Sequence, residues 1–228
     1  MFELGEVISY YDMCSEEGVN LQRGMNFRLG SSYSVILMSE RPGAPYRDRI
    51  IGDGEILIYE GHDIPSKKDG PTPKNVDQPM YNASGSLCQN GLFYNAAKAY
   101  QTGKNPEIVK VYEKIRPGIW TFNGFFHLVD AWIEKINVRS VFKFKLELMK
   151  GQFIHETAQD LDHNRLIPSW VKREVWKRDG GKCVKCGCKD NLHFDHIIPY
   201  SKGGSSLIPE NIQLLCARHN LEKRDNIE

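Results

Sequence analysis

Between residues 141 and 148 the chain alternates: Phe142, Phe144, Leu146 and Leu148 are apolar, and Lys143, Lys145 and Glu147 between them are charged. Successive side chains of a strand point to opposite faces, so this period of two predicts a half-buried β-strand. Shorter β-branched or aromatic runs, bounded by Gly, Pro or Asp, predict further strands at 33–38, 55–59, 108–112 and 125–132. One helical pattern interrupts them. Leu92, Phe93, Ala96, Ala97 and Tyr100 recur at helical spacing, with Asn90 placed to cap the start and Gly103 to end it. Many short strands with one or two helices predict an α+β chain whose N-terminal part is a curved sheet or small barrel.

Two polar stretches punctuate this pattern. Residues 62–80 form a long loop, and loops of that length are functional or mobile. Residues 156–164 carry little apolar periodicity and form the natural linker. Beyond it, Pro168 and Ser169 start a short helix through Arg178 that ends at Asp179-Gly180-Gly181. A strand follows at 192–198, and Pro209 is well placed as the first residue of a last helix reaching about Arg224. The expected organisation is an N-terminal domain over 1–152, a linker over 153–167 and a C-terminal domain over 168–228. A chain of 228 residues is long enough for each domain to bury its own core.

Composition adds exclusions. No apolar run reaches about 18 residues, and the N-terminus lacks the basic-then-apolar form of a signal peptide, so a cytoplasmic protein without a membrane partner is expected. A net charge of +1 is not the footprint of a general nucleic-acid binder. A local run from Trp170 to Lys202 has eight Lys/Arg against four acids, but such a run is usually a solvated helix face. Of the six cysteines, four crowd into the last fifth of the chain, which in a reducing compartment favours metal over disulfides. Cys14 and Cys88 read as free thiols.

Cys183 and Cys186 form a Cys-x2-Cys knuckle, and Cys216 and His219 a Cys-x2-His pair. Two turns that supply two soft or borderline ligands each are the usual way to build a tetrahedral structural Zn2+ site. Cys188, outside the knuckle spacing, reads as a bystander. On a helix, Cys216, His219, Asn220 and Lys223 fall at i, i+3, i+4 and i+7 and share one face. Asp195-His196 and the later Asn residues are of another kind: oxygen ligands with a base beside them, suited to metal-assisted attack on a phosphate. Adjacent strand residues point apart, so Asp195 and His196 act together only where the strand ends or bends, as Pro199 and the Gly203-Gly204 loop allow.

The segments 178–187, Asp195-His196-Ile197-Ile198-Pro199, Gly203-Gly204, 211–216 and His219-Asn220-x-x-Lys223 resemble the HNH endonuclease family over roughly 168–226. The resemblance implies a ββα-metal fold in which His196 is the general base, Asp195 and Asn220 bind a catalytic Mg2+ or Mn2+, and Asn211 steadies the loop that orients the base. Asn220 in the last metal position makes an HNN-type set, and His219 makes the zinc site Cys3His. Arg178, Arg218 and Lys223 are candidate phosphate contacts, with plain surface charge as the alternative for each.

The N-terminal segments 33–37, Tyr46-Arg47-Asp48, Tyr59-Glu60-Gly61, Asp77-Gln78, Asn90-Gly91 and 122–132 are similar, in order, to the SRA (SET- and RING-associated) domain, with Phe122-Asn123-Gly124 where a Tyr-Asp-Gly signature is expected. Such domains read modified cytosine by flipping it from the duplex. The resemblance implies Tyr46 and Tyr59 as stacking rings and Asp48 as acceptor for the base edge. Tyr59, inside an apolar strand, reads equally well as core. His62 and the loop after it either reach a groove or do not, and His127 reads as structural.

The combined expectation is a prokaryotic restriction enzyme that binds double-stranded DNA carrying 5-methylcytosine or 5-hydroxymethylcytosine and cuts it as a homodimer. A reader that does not cut, or an HNH nickase or homing-type nuclease with a sequence-reading N-terminal domain, are the alternatives.

Overall fold

The structure is a computed structural model, described for residues 2–29, 32–52, 54–68, 70–149, 166–224 and 226–227. The expected linker at 156–164 lies outside the described residues. The N-terminal part is built on one large sheet. Its strands are β1 (Val7–Ser9), β2 (Met25–Asn26), β3 (Ser34–Met38), β4 (Arg49–Ile51), β5 (Ile56–Glu60), β6 (Glu107–Arg116), β7 (Ile119–Ile136) and β8 (Arg139–Leu148). They run in the order β2-β3-β6-β7-β8-β5-β4, with β1 added to β7. Pairings are antiparallel except β3 with β6. The five predicted strands are all present, and 125–132 is only the middle of the 18-residue β7.

Register shifts in the β6–β7 and β7–β8 pairings mark where the sheet bends, since an extra residue in one strand kinks it. Gly124 in β7 takes φ +92, a conformation L side chains rarely adopt.

Each face of the sheet is covered. Phe142, Phe144, Leu146 and Leu148 lie in a core with Ile36, Leu57, Val109, Phe126 and Phe93, the last from helix α2 (Gln89–Gln101). The period of two in β8 therefore reports the packed face directly. On the other face, helix α1 (Tyr10–Glu17) brings Met13 against Tyr112, Trp120, Phe122 and Phe125. A reciprocal capping box between Ser9 and Asp12 starts that helix.

Asn90 does not cap α2. Cys88 occupies that position without a side-chain bond, and the Asn90 amide instead bonds the backbone of His62 at both its N–H and its C=O, and Pro79 O. Its side chain thus ties the start of the 62–80 loop to the helix. That loop holds a 3₁₀ turn at Pro73–Asn75.

The C-terminal part has its own core of Val171, Val175, Leu192, Phe194, Ile212, Leu214 and Leu215. It contains helix α3 (Ser169–Asp179), strands β9 (Leu192–His196) and β10 (Ile212–Cys216), and helix α4 (Ala217–Lys223). Pro209 starts only a 3₁₀ turn, Pro209–Asn211, and the chain then extends into β10 before α4 begins. The expected long last helix is corrected to strand and helix. Leu166 packs in the large core and its neighbour Ile167 in the small one, so the two units meet between adjacent residues. Among the described residues no helix is long and apolar enough to cross a membrane.

Candidate active site

Strand β10 pairs antiparallel with β9, placing Gln213 opposite Asp195 and Ile212 opposite His196. Cys216 ends β10 and is at once the N-cap of α4, so one step of chain turns strand into helix. The Cys183–Cys186 turn is fixed against this hairpin: Val184 N–H donates to Leu214 O at 2.9 Å. Arg178 and Asp179 at the end of α3 hold the hairpin from the other side. Asp179 accepts from Leu214 N–H at 3.0 Å, and Arg178 donates to Pro209 O at 2.8 Å and to Ile212 O at 2.6 Å.

The ligand atoms of Cys183, Cys186, Cys216 and His219 lie within 4.8 Å of one another. Cys183 Sγ and Cys216 Sγ are each 3.3 Å from His219 Nδ1, and Cys186 Sγ is 3.9 Å from Cys216 Sγ. Tetrahedral zinc bonds place sulfur about 3.8 Å from sulfur and about 3.6 Å from nitrogen, so the donor set and its spacing fit that ion. Burial pushes the Cys183 thiol up, but backbone donors at Cys216, Cys186 and Lys185 and the His219 ring outweigh it and bring the thiol down to about 6. A metal-binding sulfur is a thiolate, and this environment favours one. Cys188 lies outside the quartet, with Cys186 beside it pushing its thiol up to about 12.

At the open end of β9, Asp195 and His196 are both buried. The strand stops at His196, where the backbone turns: Ile197 N–H donates to Asn211 O at 2.7 Å. The Asn211 side chain closes the turn. Its Oδ1 accepts from Ile198 N–H at 2.8 Å, and its Nδ2 donates to Ile198 O and Ser205 O, both at 3.1 Å. A Cβ on Gly204 would fall 1.7 Å from Ile198 O, so the loop closes only because that residue has none. The closed loop delivers Ser206, whose Oγ lies 2.8 Å from His196 Nε2. Strand end, loop-closing Asn, oriented His and the helix carrying His219 of the Cys/His quartet stand in one compact unit.

Residues 183–226 form an HNH endonuclease domain. That span matches the family model described as HNH endonuclease. No curated protein matches the chain significantly. Among solved structures, the SRA domain of SUVH5 in complex with hemi-methylated CG DNA is similar, at 23% identity and TM-score 0.45 over 68% of this chain and 94% of that one. A modification-dependent restriction endonuclease, TagI, is similar at 18% identity and TM-score 0.40 over 96% of this chain and 76% of its own.

The candidate phosphate contacts divide. Arg178 has its guanidinium on Asp179 and on the backbone of Pro209 and Ile212, which makes it a structural brace. Lys223 is buried with Nζ 3.0 Å from Asp195 Oδ2, which pairs it with the carboxylate. Arg218 is exposed on α4. Asn220, half-buried, lies on the same helix between His219 and Lys223. Ser206 was not singled out from sequence; only its place in a loop ahead of Asn211 pointed to it.

The three residues expected to hold a flipped base do not form one aromatic slot. Tyr59 is 2% exposed among Met25, Met38 and Leu57, and a buried ring offers no face for stacking. Burial, then Asp48 and Tyr46 nearby, push its hydroxyl well up. Tyr46 is half-buried, its hydroxyl accepts from Asp63 N–H at 3.3 Å, and Lys74 Nζ sits 4.2 Å from its ring centroid. Asp48 is buried and each oxygen accepts a backbone N–H, from Ser39 at 3.0 Å and Glu60 at 3.1 Å. Beside them runs an ion cluster that sequence reasoning missed: Glu60 with Lys143 at 2.8 Å and Arg139 at 3.4 Å, then Arg139 with Asp63 at 2.7 Å. The charged face of β8, expected in solvent, is buried at this end by those pairs.

Proposed function

We propose that the chain is a modification-dependent DNA endonuclease, with residues 1–152 reading the DNA and 168–228 cutting it across a 153–167 linker. The observation that carries the cutting half is His196 at the end of β9, beside Asp195 and held at Nε2 by Ser206. The reading half rests on the ordered resemblance of the N-terminal segments to the SRA domain. The substrate is double-stranded DNA with 5-methylcytosine or 5-hydroxymethylcytosine, flipped toward the Tyr46–Asp48 segment.

His196 is the general base. Its Nε2 lies against Ser206, which orients the ring, and a neutral imidazole takes a proton from water near pH 7. Asp195 and the Asn220 amide oxygen would hold the divalent ion, and hard oxygen donors suit Mg2+ or Mn2+. The ion supplies stabilisation of negative charge on the phosphate and its leaving oxygen. The buried Asp195 carboxylate already has a cation, Lys223, as its neighbour, which fits a site built for positive charge. Arg218, exposed beside this face, is the remaining phosphate contact. One such site cuts one strand, so a double-strand break needs a dimer or two visits, and we assign a homodimer to that step.

The test is digestion of matched duplexes carrying cytosine, 5-methylcytosine or 5-hydroxymethylcytosine, with Mg2+ or Mn2+ added. Preferential cutting of a modified duplex is expected. Equal cutting of all three would overturn the reading half, and binding of modified DNA without any cutting would overturn the cutting half. His196→Ala is expected to lose cleavage and keep binding.

A further inference from the structure

The nuclease helix α3 is locked into the large sheet by a buried ionic cluster. Lys172, in the first turn of α3, sends its ammonium into the sheet, where Nζ lies 2.9 Å from Glu113 Oε2 on β6. The two side chains are 2% and 0% exposed. The same ammonium donates to Asn123 Oδ1 at 2.7 Å and lies 3.3 Å from Thr121 Oγ1, both on β7. Asn123 Nδ2 closes the ring by donating to Glu113 Oε2 at 3.0 Å. Asn123 is the middle residue of Phe122-Asn123-Gly124, so the signature stretch of the reader part is spent on a residue of the cutter.

A second contact lies at the chain's other end. Residues 5 and 6 are sandwiched between the two units: Gly5 N–H donates to Phe122 O at 2.9 Å and Phe122 N–H to Glu6 O at 3.0 Å, while Phe194 N–H of β9 donates to Gly5 O at 3.3 Å. Glu6 also forms a β-bridge with His193. The strand that carries Asp195 and His196 is thereby hydrogen-bonded to the segment that pairs with β7.

A third observation sets the strength of the lock. Removing one partner from a buried ion pair strands the other charge in a low-dielectric interior, whereas replacing both leaves no charge behind. Replacing a buried pair by apolar residues of similar volume is often neutral or stabilising, so the proposal below concerns geometry and not net stability.

We propose that Lys172, with Glu113 and Asn123, is a positioning residue that fixes the nuclease on the reading sheet and so sets the distance between the recognised base and the cut phosphate. This rests on the reading proposed above. The reader and cutter then act as a ruler of one length, not as two heads on a tether.

The experiment compares the full chain with Lys172→Met/Glu113→Gln, which leaves no stranded carboxylate, and with Lys172→Arg, which keeps the charge. Cleavage positions are mapped on an end-labelled duplex holding one modified cytosine, and hydrogen exchange is followed on the protein without DNA. The double variant is expected to bind the duplex as wild type does, to scatter its cuts over several positions, and to exchange amides of 5–6 and 169–176 at least about tenfold faster. Lys172→Arg should keep a narrow cut. A double variant with wild-type exchange overturns the lock whether or not the protein cuts. Faster exchange with an unchanged cut position overturns the ruler. Indifference of the wild type to cytosine modification counts against the reading proposal alone, because the exchange arm needs no DNA.

Discussion

Lys223 Nζ stands 3.0 Å from Asp195 Oδ2, and both side chains are almost wholly buried. The ammonium thus neutralises the carboxylate proposed to bind the catalytic ion, and on that proposal the two cations would compete for one oxygen. Lys223→Met leaves Asp195 buried and uncompensated, at a cost of about 3–5 kcal/mol. The variant should melt lower than wild type without divalent ions and gain more from Mn2+ than wild type does. Thermal melts with and without Mn2+ check this, and equal gains would sink the competition.

Ser206 Oγ lies 2.8 Å from His196 Nε2 and orients the ring of the proposed base. Ser206→Ala removes that contact and leaves the loop closure by Asn211 intact. A loss of about tenfold to hundredfold in kcat with little change in KM is expected, smaller than the loss for His196→Ala. Ser206→Thr keeps the hydroxyl and should recover much of the rate. Steady-state cleavage kinetics decide it; an unaltered kcat for Ser206→Ala would remove the positioning role.

Gly204 permits the loop to close over Ile198 O. A methyl group there forces backbone apart, so Gly204→Ala should abolish cleavage while zinc content stays at the wild-type level. Metal analysis alongside an activity assay separates this from general unfolding.

Cys183, Cys186, Cys216 and His219 would tie the knuckle turn to α4 through one ion. Structural zinc contributes on the order of 10 kcal/mol in small zinc modules. Cys216→Ser should therefore lose the cooperative fold around Trp176, read by its fluorescence, whereas Cys188→Ser should keep zinc in stoichiometric amount. Zinc loss in Cys188→Ser would bring that thiol into the site.

Asp48 gives a pH signature. Burial, against the Ser39 and Glu60 backbone donors, raises its carboxyl from 3.8 to about 7. The folded state then binds a proton more readily than the unfolded state between those values. Stability from this group is full below 3.8 and is lost as pH rises toward 7 and past it. Asp48→Asn should flatten the fall in melting temperature between about pH 5 and about pH 8. A wild type equally stable at both would refute the assignment.

Much of this was legible in the residues themselves. The alternation at 142–148 named the buried face of β8, and the two Cys pairs named the metal quartet. Tyr59 was legible only in part: Ile56–Glu60 is buried on both faces, so no alternation told a core ring from a binding one. Strand β10 was not legible. Ile212-Gln213-Leu214-Leu215-Cys216 is buried throughout, so it shows no alternation, and a short apolar run after a proline reads as helix just as well. The Lys172–Glu113 pair joins residues 59 apart, and no local pattern reports a contact across that separation.

Gly5 accepts its hydrogen bond from Phe194, and Glu6 bridges His193. Contacts this distant in sequence are slow to close, because loop-closure entropy is spent before the contact forms. During synthesis the sheet can assemble while the last third of the chain is still unmade. A chain stopped before Leu192 would hold every strand of the large sheet and lack the seam to β9.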